Sequence, residues 1–326
     1  MHDVDRAAVH DKRRGVDPLM GTATKHFIRK CVWLPIVSQR ASKLGRPVRY
    51  FTLTTADLFD VRLLEREGLL ERTARGYPGL GFCELDDKTY DDIMRRVRWC
   101  GWSYKGWFEE MARAHPDFDT GFCFDVINLD FILVPFPNEE SPLEGTWGAI
   151  QRVLQVQWNH GRGFDLFLTF RGSRTDTNAD ALDRVANLLS TNIEIGRGAA
   201  ELEARAGHRN VRKLLDEDYV EFLCMGLPKL VVADALPLGF ELMRADVYKY
   251  PRQGAQETYH IITFVFAFDV PAARQRRFGD PPPLVANYDA AVPFVLSKRP
   301  SDVAALLDAS PCLARELEED VARLRA

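Results

Sequence analysis

Long apolar runs, paired cysteines and a strong excess of one charge are all missing from this sequence. No stretch approaches the roughly 20 apolar residues that cross a bilayer, and the charged first 15 residues lack the apolar core of a signal peptide. The six cysteines are scattered singly, without a C-x-x-C pair, which argues against a zinc site or a disulfide framework. A net charge of −4 gives the whole chain no general attraction for nucleic acid. We therefore expect a cytoplasmic protein with no bound metal and no membrane partner.

What the chain does have is length and apolar content, with 326 residues of which 46% are hydrophobic. These values suit one large domain with a substantial core. Residues 1–20 are polar and are expected to be flexible. Residues 21–270 are expected to form the domain, with a helical insertion at about 199–236, and residues 271–326 to add a loop and a helix from Ser301 that packs on it.

Short segments rich in β-branched and aromatic residues alternate with amphipathic stretches along the first half of the chain. Such runs are typical of parallel strands covered on both faces, and the connections between them are typical of helices. The predicted strands cover residues 48–55, 81–85, 122–134 and 164–170. Pro35 is expected to kink or split the helix that precedes the first strand.

The pattern changes after residue 236. Residues 240–250 alternate, residues 251–255 form a turn, and residues 259–270 return as a second strand, which predicts a β-hairpin. The predicted fold class is therefore α/β. It consists of a Rossmann-like, mostly parallel sheet with helices on both faces and a C-terminal antiparallel hairpin.

This order of elements resembles the class I S-adenosylmethionine (SAM)-dependent methyltransferases over roughly residues 25–270. The tripeptide Thr24-Lys25-His26 ahead of an apolar helix is also similar to the start of the three-Cys-motif partner proteins, a bacterial group in that superfamily. The resemblance implies SAM as the cofactor and a glycine-rich loop after the first strand.

The first loop departs from that pattern because the segment from Leu53 to Asp60 contains no glycine. Ligands of open parallel sheets bind beyond the carboxyl ends of the strands, so Thr55, Asp57 and Asp60 are candidate cofactor-binding residues. The two aspartates are candidates for the amino group of the ligand. Helix capping and favourable interaction with the helix dipole are the alternative roles for both.

Glu84 ends the second predicted strand. An acidic side chain there resembles the family's ribose-binding carboxylate, which accepts hydrogen bonds from both hydroxyls. A helix cap or an ordinary surface carboxylate is the competing interpretation. Asp86 and Asp87 are assigned to the start of the following helix.

Asn128-Leu129-Asp130-Phe131 lies where amino-methyltransferases carry an Asn/Asp-Pro-Pro-Tyr/Phe motif. The first and fourth positions match, and both prolines are missing. A carboxylate within an apolar strand end needs a partner, because an unpaired buried charge is strongly unfavourable. Asn128 and Asp130 are therefore the candidate catalytic residues, with hydrogen bonding to neighbouring loops as the alternative.

A mixture of arginine and tryptophan near residue 100 allows a further interpretation. Single-stranded nucleic acid binds such surfaces through phosphate contacts and base stacking. A helix end beside a small apolar core explains the same residues, which are Arg95, Arg96, Arg98, Trp99, Trp102 and Trp107.

Two functional hypotheses follow. In the first, the protein is a divergent SAM-dependent methyltransferase acting on a nucleic acid or another polar acceptor. In the second, it is a methyltransferase-like binding or scaffold subunit of a bacterial multi-protein system, such as a defence system, with a decayed pocket. The strand-end acids favour the first hypothesis, and the glycine-free loop favours the second.

Overall fold

The computed structural model describes residues 23–72, 79–97, 100–131, 133–137, 145–175, 177–253, 258–271 and 288–325. The predicted flexible segment at 1–20 and most of the loop from residue 271 lie outside these ranges. The described strands form one sheet: β1 (Tyr50–Leu53), β2 (Leu80–Glu84), β3 (Trp102–Lys105), β4 (Val126–Asp130), β5 (Phe164–Gly172), β6 (Glu241–Gln253), β7 (Thr258–Asp269) and β8 (Ser301–Asp302).

Helices surround this sheet on both sides. In chain order they are α1 (Ala23–Phe27), α2 (Leu34–Leu44), α3 (Phe59–Arg66), α4 (Asp87–Arg96), α5 (Phe108–Ala114), α6 (Phe118–Gly121), α7 (Thr146–Asn159), α8 (Ala179–Glu194), α9 (Ala199–Ala206), α10 (Val211–Glu217), α11 (Tyr219–Ala235), α12 (Tyr288–Ser297), α13 (Val303–Asp308) and α14 (Pro311–Arg325). A 3-10 turn (Leu236–Leu238) follows α11. No described helix is both long and apolar enough to cross a bilayer.

The strand order is β3-β2-β1-β4-β5-β7-β6-β8. Strands β1 to β5 are mutually parallel where they pair, and β7 is antiparallel to both β5 and β6. The predicted fold class, including the terminal hairpin, is confirmed. β3 was not predicted, because four residues with two polar side chains give too short a pattern to identify a strand.

The helix interrupted by Pro35 shows how the chain accommodates that proline. A π-helical segment (Ile28–Trp33) joins α1 to α2, and Leu34 N donates to Arg29 O, five residues back. Pro35 then stands in the first turn of α2, directly after this π-helical segment. The expected disturbance is therefore a widened turn.

The C-terminal segment corrects one prediction. The expected single helix from Ser301 is two helices, α13 and α14, and the cap of α13 is Asp302, whose side chain accepts from Ala305 N. Ser301 instead pairs with Tyr248 as part of β8. Pro311 begins α14, which suits its fixed backbone angle. α14 packs on α1 and α3.

The two faces of the sheet differ in chemistry. On one, the apolar face, residues such as Phe51, Ile127 and Leu168 pack against the helices from α5 to α12. Gly81 belongs to this packing, because a Cβ there would lie 2.4 Å from the Phe124 ring. On the other, the polar face, strand residues such as Thr52 and Asn128 are buried beside apolar neighbours under α1 to α4, α13 and α14.

Candidate ligand site at the carboxyl edge of the sheet

Parallel pairing brings the ends of three strands to one edge. β1 lies between β2 and β4, with Leu53 opposite Cys83 and Thr52 opposite Asn128. Glu84 and Asp130 are the last residues of β2 and β4, and Thr55 follows β1 by two residues. From β1 the chain runs outward to β2 and β3 on one side and to β4 and β5 on the other. Such a switch point is where open α/β sheets bind ligands.

The β1–α3 loop (Thr54–Leu58) makes a tight turn without glycine. Leu58 N donates to Thr55 O at 3.0 Å, and Arg96 Nη1 donates to Ala56 O at 2.7 Å. Leu58 has φ 53°, and it is the only residue other than glycine with positive φ in the described part of the chain. This conformation is unfavourable for a leucine and persists only where its surroundings impose it. Thr55 and Asp57 stand in this loop, half-buried.

Asp60, in the first turn of α3, points inward. Its Oδ2 accepts hydrogen bonds from Tyr50 Oη and Thr52 Oγ1, both at 2.7 Å, and from Asn128 Nδ2 at 3.2 Å. Its Oδ1 accepts from Val61 N at 3.0 Å. Burial and the neighbouring Asp60 carboxylate raise the pKa of Tyr50 well above its usual value, so the phenol stays protonated and donates. Tyr50, Thr52, Asp60 and Asn128 form what we call the Asp60 cluster.

Asn128 therefore lies inside the interface between the sheet and α3, with 2% of its surface exposed. Its Nδ2 donates to the Asp60 carboxylate, which fixes the orientation of the amide. Its Oδ1 has no hydrogen-bond partner among the described residues. Asn128 belongs to the predicted acceptor motif, but it lies in contact with α3 and not at the exposed edge of the sheet.

Glu84 lies at the edge itself and is half-buried. Its Oε1 accepts a hydrogen bond from Asp86 N at 2.8 Å, while the Asp86 side chain caps α4 by accepting from Thr89 N. Asp86 thus serves the start of α4, as the sequence predicted, and it does so as the cap. Because the backbone of the β2–α4 connection orients the Glu84 carboxylate, its position at the end of β2 is well defined.

Asp130 forms an ion pair with Lys25 of α1, with 2.6 Å between Lys25 Nζ and Asp130 Oδ2. Both side chains are largely buried. Burial raises the pKa of the nearby Tyr250, and the Asp130 charge adds to this while Arg29 opposes it. Lys25 belongs to the tripeptide that carried the second resemblance, but nothing in the sequence pairs it with Asp130.

Phe131 and Trp102 are structural. Phe131 stacks on Phe170 with ring centroids 5.2 Å apart and is 5% exposed. Trp102 packs edge-on against Phe51 and Phe122 in the apolar core. The arginine and tryptophan mixture thus contributes Trp102 to the core and Arg96 to the β1–α3 loop, while residues 98 and 99 lie outside the described ranges.

Sequence reasoning missed the residues that hold the others in place, namely Lys25, Tyr50, Thr52 and Arg96. Alternation along β1 placed Tyr50 and Thr52 on one face and was the available signal for two of them. Within the described ranges, no three His, Cys, Asp or Glu side chains are placed to share a metal ion.

No protein-family model and no curated protein matches the chain. Solved structures that it partly resembles include the 1,6-didemethyltoxoflavin-N1-methyltransferase of Burkholderia thailandensis, at 10% identity over 81% of this chain and 85% of that one, with a TM-score of 0.34. Another was described for the conversion of a disulfide bond into a thioacetal group during echinomycin biosynthesis, at 12% identity over 74% and 84%, with a TM-score of 0.34. These similarities are too weak to assign a function.

Proposed function

We propose that this chain is a divergent SAM-dependent methyltransferase that acts on a nucleic acid or another polar acceptor. The observation that supports it most is the placement of Glu84 and the β1–α3 loop together at the switch in strand order. Open α/β sheets bind their ligands at this point. The sheet also contains the antiparallel hairpin that the methyltransferase resemblance implies.

We assign Glu84 to the ribose of the cofactor. A carboxylate at the end of β2 accepts from the two ribose hydroxyls through charge-assisted hydrogen bonds. Its orientation is already set by the hydrogen bond from Asp86 N. Thr55 and Asp57 are assigned to the amino-acid end of the cofactor because they stand in the turn after β1. Asp60 lies behind that turn and supports its position.

We assign Asp130 to the acceptor side. Its carboxylate is held in place by the ion pair with Lys25, and a carboxylate oxygen accepts a hydrogen bond from an amine or hydroxyl. Asn128 lies two residues earlier on the same strand face and stabilises the strand end through the Asp60 cluster. When bound, SAM supplies an activated methyl group. The chain's own part is to align the acceptor with that group and to exclude water.

A binding or scaffold subunit without turnover is the second candidate. It is favoured by the number of candidate side chains that already have partners within the chain. Asp60 and Asn128 bind each other, Asp130 binds Lys25, and Glu84 binds the backbone of Asp86. Under this proposal the edge of the sheet keeps its shape and binds no SAM.

Calorimetric titration with SAM and S-adenosylhomocysteine separates the two candidates. We expect the wild type to bind both, and Glu84→Gln to weaken binding at least about tenfold, because hydrogen bonds to a charged group contribute about 1.5–3 kcal/mol. Glutamine keeps an acceptor for Asp86 N, so the loop is preserved. The matched control is Glu67→Gln, at an exposed residue after α3.

No heat and no thermal shift with either ligand at millimolar concentration would leave the scaffold proposal. Equal affinity in wild type and Glu84→Gln would retain ligand binding but remove the ribose assignment. Transfer of a labelled methyl group from SAM to a nucleic-acid mixture or to small polar amines would then identify the acceptor class.

A further inference from the structure

The glycine-free loop at the proposed site raises the question of what holds it in place. Leu58 adopts a left-handed conformation that leucine disfavours, and a strained residue is kept only by contacts around it. The loop is held from one side by Arg96, which donates to Ala56 O. On the other side the nearest anchor is Asp60, two residues after Leu58.

We propose that Asp60 is a positioning residue, which holds the β1–α3 loop in its ligand-binding shape without touching the ligand. Its single oxygen Oδ2 accepts from two residues of β1 and one residue of β4. These contacts join the first turn of α3 to both strands of the switch point. The position of the loop relative to the strand ends is then set by a side-chain cluster, in a place where the resembled family relies on glycine.

A simple helix cap does not account for this arrangement. The residue before α3 is Leu58, which offers no side-chain cap, and Asp60 is the second residue of the helix. Aspartate in a first turn usually interacts with the helix dipole from the surface. Asp60 is instead 8% exposed and faces the sheet, where its contacts are neutral donors from Tyr50, Thr52 and Asn128.

The buried carboxylate of Asp60 points to a specific role. Removing a carboxylate from water is strongly unfavourable unless hydrogen bonds replace its hydration. Four protein donors do so here, counting the N–H of Val61. Hydrogen bonds to an ionised acceptor are shorter and stronger than neutral ones, so the carboxylate fixes the loop anchor more tightly than an amide of the same shape.

The test compares Asp60→Asn with Asp180→Asn, its matched control. Asp180 is also the second residue of its helix, α8, but it is exposed. We expect Asp60→Asn to increase hydrogen exchange at least about tenfold at the amides of Leu58 and Arg62, which donate to Thr55 O and Leu58 O, while the amides of β5 keep their protection. The control should leave both regions unchanged. This local loosening needs no ligand, so it is measured whether or not the chain binds SAM.

That the ligand is SAM rests on the proposed function. Ligand affinity is therefore a second, separate readout. Asp60→Asn should raise the Kd for S-adenosylhomocysteine about tenfold or more, because a displaced loop makes weaker contacts with the ligand. The measurement is made at a temperature where the variant is folded. If the wild type does not bind but the loop still loosens, the proposed function fails and the positioning role stands. Unchanged exchange at the amides of Leu58 and Arg62 in Asp60→Asn overturns the inference.

Thr52→Val provides the milder variant in case Asp60→Asn does not fold. It removes one donor to Asp60 while keeping the shape of the side chain. We expect faster exchange at the same two amides, Leu58 and Arg62, with a smaller increase. Loss of global stability in Thr52→Val with exchange of the loop unchanged would assign the cluster to folding alone and overturn the inference.

Discussion

The apolar and polar faces of the sheet are built from the same strands but hold their helices by different means. On β5, Leu166, Leu168 and Phe170 face one way into an apolar core. Asp165 and Thr169 face the other way, and both are buried as well. The apolar face is held by non-directional packing. The polar face adds hydrogen bonds and ion pairs, whose geometry is specific.

The comparison shows why the candidate site is on the polar side of the edge. Packing tolerates some repositioning of side chains, whereas a bidentate ion pair or a shared carboxylate fixes one arrangement. Arg40 with Asp165 and the Asp60 cluster each join a helix to a strand in this way, and the Lys25–Asp130 ion pair joins α1 to β4. A ligand site needs such fixed positions, and the apolar face supplies the stability that permits them.

The largest effect is expected from breaking the Arg40–Asp165 pair. Arg40 donates to both oxygens of Asp165, at 2.8 and 3.0 Å, and the side chains are 7% and 3% exposed. Asp165→Ala should lower the free energy of unfolding by about 3–5 kcal/mol, because Arg40 would be left buried with a weakened set of partners. Urea titration measures this change. The double variant Arg40→Met/Asp165→Leu should lose less than Asp165→Ala, and a larger loss in the double variant would contradict the account.

A slightly smaller effect is expected on the apolar face. Leu168 is 1% exposed on the same strand. Leu168→Ala should lower the free energy of unfolding by about 2–5 kcal/mol through lost burial and the cavity left behind. Because no charge is involved, this loss should be equal at pH 7 and pH 5. A pH-dependent loss would mean that the two faces are not as distinct as described.

A smaller effect on the polar face is expected from pH, through the titration of His26. His26 Nε2 lies 3.0 Å from Asp320 Oδ2, and Asp320 also binds Arg66. Burial lowers the pKa of His26 from its ordinary 6.5, in spite of the Asp320 contact. The unfolded chain then binds a proton more readily than the folded one below about pH 6.5. Stability should therefore fall as the pH drops from 7.5 to 5.

The hydrogen bond from Arg66 lowers the pKa of Asp320 from its ordinary 3.8, so the stabilisation it provides is lost only at pH values below that. Burial also lowers the pKa of His160 and His260, so the contribution of His26 is the difference between wild type and His26→Gln in a scan between pH 7.5 and 5. His26→Gln should reduce the pH dependence of the unfolding midpoint across this range. An unchanged slope in His26→Gln would show that His26 does not titrate as described.

The smallest effect is expected at an exposed ion pair away from both faces. Arg174 and Asp216 are 3.1 Å apart, with 54% and 67% of their side chains exposed. Arg174→Ala should change the free energy of unfolding by less than about 1 kcal/mol, because solvent screens the pair. Thermal unfolding provides the measurement. A loss as large as that of Asp165→Ala would remove the distinction between buried and exposed pairs.

The sequence predicted the fold well because its strongest patterns are local. The β5 run and the alternation in the hairpin each identify a strand within a dozen residues. The edge that joins Thr55, Glu84 and Asp130 also follows from local patterns, since parallel strands end together. Partners distant in the chain could not be predicted. His26 and Asp320 are 294 positions apart, and no local pattern relates them.

The Asp60 cluster illustrates the same limit within the site. Asp60 was identified as a candidate from its place after β1, but its inward orientation depends on the register of β1 with β4. That register brings Thr52 opposite Asn128 and gives the carboxylate its donors. Leu58 is the second example, because a left-handed leucine results from contacts rather than from propensity.

The most direct test of the central claim is amide hydrogen exchange of the wild-type chain with and without S-adenosylhomocysteine. A ligand held between the β1–α3 loop and Glu84 should slow exchange in residues 54–58 and 84–87 and leave β6 unchanged. Ligand-dependent protection confined to other segments, or none at a concentration where calorimetry detects binding, would contradict a site at this edge of the sheet.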